Sequence, residues 1–122
     1  MNVEIFKITD GGVLKDERII LKVIVDDFLG SYAVFKTKKT GENTVSARTA
    51  KTFWFPDRQV KKGDLVVLYS KVGVSTERKN DDGTTTHFFY WQSTETIWNE
   101  TDDAVVLLKM GQWDYKTLGG NK

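Results

Sequence analysis

Short runs of β-branched and aromatic residues, each closed by a glycine or an Asn/Asp turn, leave this chain almost no route to helix. No window of about eleven residues repeats apolar groups at three and four while avoiding glycine and β-branched stretches. Strands are predicted instead at Val3 to Ile8, Arg18 to Val25, Tyr32 to Thr37, Leu65 to Tyr69, Val72 to Lys79, Thr84 to Trp91, Ala104 to Lys109 and Trp113 to Leu118, with a weaker one near Thr44 to Arg48. The Arg18 and Leu65 runs are the richest in β-branched residues and are expected at the centre of a sheet, buried on at least one face. Lys79-Asn80-Asp81-Asp82-Gly83-Thr84 predicts a hairpin in which Gly83 supplies the positive φ. Lys62-Gly63-Asp64 predicts a turn into the Leu65 strand, and Met110-Gly111-Gln112 a turn between the last two strands. Eight or nine short strands, spaced about 8 to 12 residues apart, indicate an all-β sandwich or barrel.

The 122 residues suit one domain, with 39% hydrophobic and 29% charged residues, an ordinary globular balance. A single domain is expected over residues 1–118, followed by a flexible tail at 119–122. There is no cysteine, which excludes disulfides, thiolate metal sites and thiol nucleophiles together. Glu4 and Lys7 break the opening apolar run, so neither a signal-peptide core nor a membrane span is expected, and the expected location is cytoplasmic.

An ordered series of motifs carries a family resemblance. Phe53-Trp54-Phe55-Pro56 is followed by Val60 to Tyr69 with its Lys61-Lys62-Gly63-Asp64 turn, then Tyr90-Trp91, then Ile97-Trp98-Asn99-Glu100-Thr101-Asp102-Asp103 and the apolar strand Ala104 to Leu108. Over roughly residues 53–109 this resembles the lamin tail domain, an immunoglobulin-like β-sandwich found in nuclear lamins and in many bacterial proteins. The resemblance implies an immunoglobulin-like fold and, since lamin tail domains are credited with DNA binding, a nucleic-acid partner as one option. The chain departs from the family's Asp-Leu-Ser-Gly-Trp-like segment, reading Asp26-Asp27-Phe28-Leu29-Gly30-Ser31-Tyr32-Ala33, and carries Asp102 where the family often has glycine. Read physically, Trp98 suits a plug at one sandwich end, its N–H needing a partner, while Asn99 and Asp102 or Asp103 suit turn bonds.

No catalytic constellation is evident. The one histidine, His87, lies on a predicted strand and reads as a partly exposed packing residue. No Gly-x-Ser-x-Gly or phosphate loop occurs. The pairs Asp26-Asp27, Asp81-Asp82 and Asp102-Asp103 could hold calcium or act with His87 in a hydrolase only if the fold brought them together. No metal site, cofactor or small-molecule substrate is expected.

The net charge of +1 hides a basic middle. Residues 36–79 hold eleven Lys and Arg against four acids, while both flanks are net acidic. Cross-strand offsetting is the plain expectation. The sharper one takes Lys36, Lys38, Lys39, Arg48, Lys51, Trp54, Arg58, Lys61 and Lys62 as a binding surface. Alternation in Phe53-Trp54-Phe55 sets Trp54 opposite the two phenylalanines, and an exposed tryptophan suits a protein partner, self-association or a larger assembly such as a virus particle. Basic groups interleaved with aromatics also suit single-stranded nucleic acid.

Overall fold

A computed structural model describes residues 1–120. Its strands are β1 (Val3–Thr9), β2 (Arg18–Val23), β3 (Asp27–Phe28), β4 (Tyr32–Lys38), β5 (Thr52–Trp54), β6 (Gln59–Val60), β7 (Leu65–Tyr69), β8 (Thr76–Lys79), β9 (Thr85–Tyr90) and β10 (Asp103–Lys109), with one 3-10 turn at Leu29–Ser31. Five strands form a sheet in the order β1-β2-β7-β9-β8, three form a second in the order β10-β4-β5, and β3-β6 is a two-stranded ribbon. Alternation sends Ile19, Leu21, Val66, Leu68 and Phe89 inward from the large sheet and Tyr32, Val34 and Leu107 inward from the small one, into one continuous core. The expected all-β sandwich is what forms.

β2 and β7 are neighbours inside the large sheet, as their β-branched composition requires. The hairpin at residues 79–84 forms, with Gly83 at φ 88° and Asp82 accepting from both the N–H and the hydroxyl of Thr84. One pairing departs from a purely antiparallel sheet. β8 passes to the outer edge and β9 returns between it and β7, which makes β7 and β9 parallel.

Three expected strands differ. Trp113 to Leu118 is not a strand: Met110 donates to Ser31 O, extending the β4 pairing by one residue, and the chain then leaves the sheet, so residues 110–112 make no hairpin. Thr44 to Arg48 contributes only an isolated bridge between Lys39 and Val45. Val72 to Lys79 pairs only from Thr76, because the preceding segment is held elsewhere, with the Gln92 amide donating to Gly73 O and accepting from Gly73 N–H. Of the expected tail, Gly120 closes a turn with Thr117, and residues 121 and 122 lie outside the described residues.

Each end of the sandwich is tied by a carboxylate. At the Trp98 end Glu17 is fully buried and accepts hydrogen bonds from Gly12 N–H, Ser70 Oγ, and the N–H groups of Ile97 and Trp98. It thus holds the loop carrying Trp98 against the starts and ends of the large sheet's strands. Gly11 runs so close to that loop that a Cβ there would lie 2.8 Å from Trp98 O. Trp98 is buried against Trp91, as a plug should be, although its indole N–H has no partner among the described residues. At the opposite end Asp27 accepts from Asn2, Tyr32 Oη and Lys109, joining both sheets.

Candidate interaction site

Pairing with β4 fixes how the Phe53-Trp54-Phe55 segment is displayed. Phe53 lies beside Val34 on the inner face and joins an aromatic cluster with Phe55, Phe89 and Trp91, whereas Trp54 lies beside Ala33 on the outer face. Alternation therefore leaves Trp54 46% exposed while Phe55 is buried. Its indole N–H donates to Gly30 O at 2.8 Å, and its ring meets that of Trp113 edge to face at 4.8 Å and 86°. Phe28, Gly30, Ser31, Phe55 and Asp57 complete a cleft of about 460 Å³ between them. Among the described residues that line it, Asp57 is the one ionisable group.

The nine residues expected to act together are divided by the fold. Lys36, Lys38, Lys39, Arg48 and Lys51 gather at the Trp98 end, on the later half of β4 and the segment that follows it. There the small sheet pairs Lys36 and Lys38 with acids from far along the chain. Lys38 Nζ lies 2.7 Å from Asp103 and within 3.4 Å of Asp102 and Glu100, and Lys36 lies 3.6 Å from Asp103. The Asp103 hydrogen bond raises the Lys38 ammonium above its ordinary value against the cost of desolvation. Burial pushes the Asp103 carboxyl up, but Lys38, the N–H groups of Glu100 and Asn99, and Lys36 outweigh it and hold it down to about 2. Cross-strand offsetting thus accounts for Lys36 and Lys38.

Lys61 and Lys62 stand at the other end, where Lys62 N–H donates to Asp26. Arg58 caps the aromatic core, its guanidinium 4.6 Å over the Phe89 ring and bonded to Thr76 O. Trp54 belongs to the Asp27 end, opposite Ala33, and Lys38 lies five positions further along β4. At strand rise that is about 17 Å, beyond the screening length of about 10 Å at ordinary salt. The structure therefore brings Trp54 together with Trp113, Phe28 and Asp57 and apart from Lys38, while Lys61 and Lys62 share its end of the sandwich without lining the cleft.

His87 is buried rather than partly exposed. It faces inward from β9, its Nε2 2.9 Å from Asp64 Oδ2, with Glu77 on β8 at 3.6 Å from Nδ1. Asp64 also accepts from Lys61 and Thr85 N–H; burial raises its pKa, but the His87 bond and these two N–H groups win and lower it. The pair fastens the turn at Gly63, where φ is 91°, onto β9. The three acidic pairs stay apart: Asp27 serves Tyr32 and Lys109, Asp82 serves Thr84, and Asp103 serves Lys38. Among the described residues no three His or acidic groups converge as a metal site, and no helix is long and apolar enough to cross a membrane.

Trp113, Phe28 and Asp57 belong to the cleft but were not among the residues expected to bind. The one sequence signal was the large aromatic at 113 after the last strong strand, which also fits a further strand. Comparison with family models, with curated proteins and with solved structures finds no match to this chain.

Proposed function

We propose that this chain is a non-enzymatic interaction module of lamin-tail-like, immunoglobulin-like type, which binds a protein partner or assembly through the cleft between Trp54 and Trp113. The observation that carries the reading is a half-exposed tryptophan pinned by its own N–H. Such a residue offers a large apolar surface with little rotamer entropy left to lose, the character of an interface anchor. The ring faces and the Asp57 carboxylate suit an incoming aromatic or cationic side chain, since a cation over an indole gains about 0.5–2 kcal/mol. The resemblance over residues 53–109 bears on the fold and, through the DNA binding credited to lamin tail domains, on the second reading below.

Nucleic-acid binding through the basic residues is the second reading, favoured by the cluster Lys39, Arg48 and Lys51 on exposed or partly exposed chain. The two separate cleanly. Selection of a peptide display library on the folded protein should enrich peptides with aromatic or Arg/Lys anchors, and Trp54→Ser should abolish their binding. A mixed-sequence single-stranded oligonucleotide should not bind at low salt. Oligonucleotide binding that weakens steeply with salt and survives Trp54→Ser would replace the first reading with the second.

A further inference from the structure

Among the described residues the two larger sheets have four edge strands: β1 and β8 on the large sheet, β10 and β5 on the small one. An uncovered edge is a template for another strand, and most natural edges carry something that spoils pairing. β1 carries a bulge between Ile5 and Lys7. β8 reads Thr-Glu-Arg-Lys and is exposed throughout, and β5 has three residues. β10 has no such device. It runs seven residues in unbroken register with β4, from Asp103 opposite Lys38 to Lys109 opposite Tyr32, and is apolar at every position between its charged ends. On the doubly flanked β4, Tyr32, Ala33 and Val34 are buried, whereas Ala104, Val105 and Val106 on β10 stay partly exposed.

We propose that the free edge of β10 pairs antiparallel with β10 of a second copy of this chain, about a two-fold axis at Val106. Hydrogen-bond parity allows this register. Met110 N–H donates to Ser31 O, and Asp102 O accepts from Lys39 N–H, so even-numbered residues turn their backbone groups toward β4. Alternation turns those of Val105 and Leu107 to the free edge. Centring on Val106 sets Val105 of one copy opposite Leu107 of the other, where the two exchange both bonds, and the symmetry repeats the exchange.

Charge selects the same register. Pairing centred on Val106 sets Asp103 opposite Lys109 at each end; the Asp103 carboxylate is buried on Lys38, so the opposite charges contribute attraction across the strands and not a new contact. Parallel pairing sets Asp103 on Asp103 and Lys109 on Lys109. An antiparallel shift of two residues sets Asp103 against Leu107 in one direction and Lys109 against Val105 in the other. Opposite charges facing across strands stabilise and like charges destabilise, so one arrangement is favoured. It joins the small sheets into one of six strands and turns both Trp54 clefts to the same face, so that a partner with two matching segments binds bivalently. The pairing stands on the β10 edge alone and does not depend on what the cleft binds.

The absence of cysteine makes the test clean. In the full chain, Val106→Cys should form a disulfide dimer on mild oxidation, because facing residues in a non-hydrogen-bonded antiparallel pair lie about 4.5 Å apart at Cα, within disulfide range. Ala104→Cys and Leu108→Cys should each form no disulfide alone and crosslink when mixed. Wild-type protein should sediment toward twice the 13.9 kDa protomer as concentration rises. Val106→Lys, checked for folding by circular dichroism, should require about tenfold more protein or higher to dimerise. Wild-type protein monomeric throughout, with Val106→Cys crosslinking no faster than the exposed control Val74→Cys, overturns the proposal. So does crosslinking of Ala104→Cys or Leu108→Cys alone as efficiently as Val106→Cys.

Discussion

Replacing Glu17 by glutamine changes one atom of a fully buried side chain and tests how the Trp98 end is held. One carboxylate oxygen accepts from Gly12 N–H at 3.0 Å; the other accepts from Ser70 Oγ, from Ile97 N–H at 2.8 Å and from Trp98 N–H at 3.4 Å. A glutamine that keeps its carbonyl on the second set must turn its NH2 toward Gly12 N–H, losing one bond and setting two donors face to face. The bonds that remain lose their ionic strengthening. Hydrogen bonds to a charged group contribute about 1.5–3 kcal/mol each and an unsatisfied buried donor costs about 1–3, so Glu17→Gln should destabilise by about 2–4 kcal/mol. With a urea slope of about 2 kcal/mol/M, the midpoint should fall by about 1–2 M with the slope unchanged. Tryptophan fluorescence reads this directly, since Trp98 is held by this carboxylate and packs on Trp91. A midpoint within about 0.3 M of wild type would refute the assignment of Glu17 as the tie of that end.

Gly73→Ala places a Cβ 2.3 Å from the Tyr90 ring, so either the ring or the Gln92 clamp must yield, at a cost of about 1–3 kcal/mol by chemical denaturation. Acid should unfold the protein through Asp27 and Asp103. Each carboxyl is held down to about 2 from an ordinary 3.8: burial opposes this, but for Asp27 the Phe28 N–H, Tyr32, Lys109 and Asn2 outweigh it, as Lys38 and its neighbours do for Asp103. The folded state therefore binds these protons less readily than the unfolded state. The stabilisation is complete above the ordinary value and drains as pH falls from there through about 2, amounting to about 2 kcal/mol for each group. Stability measured in urea should accordingly fall over that interval in wild type, and Asp27→Asn should remove part of the slope. A flat profile there contradicts the assignment.

What was legible in the sequence was local. β-branched runs marked β2 and β7, Gly63 and Gly83 marked their turns, and alternation in Phe53-Trp54-Phe55 divided inner from outer side chains, because each follows from neighbouring residues alone. Partners were not legible. The Trp113 to Leu118 segment alternates as a strand does, yet period two encodes a face and not a free edge, and Met110 ends the pairing. The same gap hid the parallel β7–β9 pair and the ion pairs of Lys36 and Lys38, whose acids lie more than sixty residues away. Glu17 and Asp64 carry no distinguishing sequence signal: each is an acid beside a turn, and only the donors that converge on it set it apart. His87 is hidden for the same reason, its buried place being decided by Asp64.

The central claim is that the Trp54–Trp113 cleft, and not the basic middle, is the binding surface. The four tryptophans separate the possibilities, because Trp54 and Trp113 line the cleft while Trp91 and Trp98 pack against each other at the opposite end. An NMR titration of labelled protein with a library-selected peptide should shift the indole N–H signals of Trp54 and Trp113 and leave those of Trp91 and Trp98 in place. Binding that leaves the Trp54 and Trp113 signals unmoved while shifting the backbone signals of Lys39, Arg48 and Lys51 would contradict it.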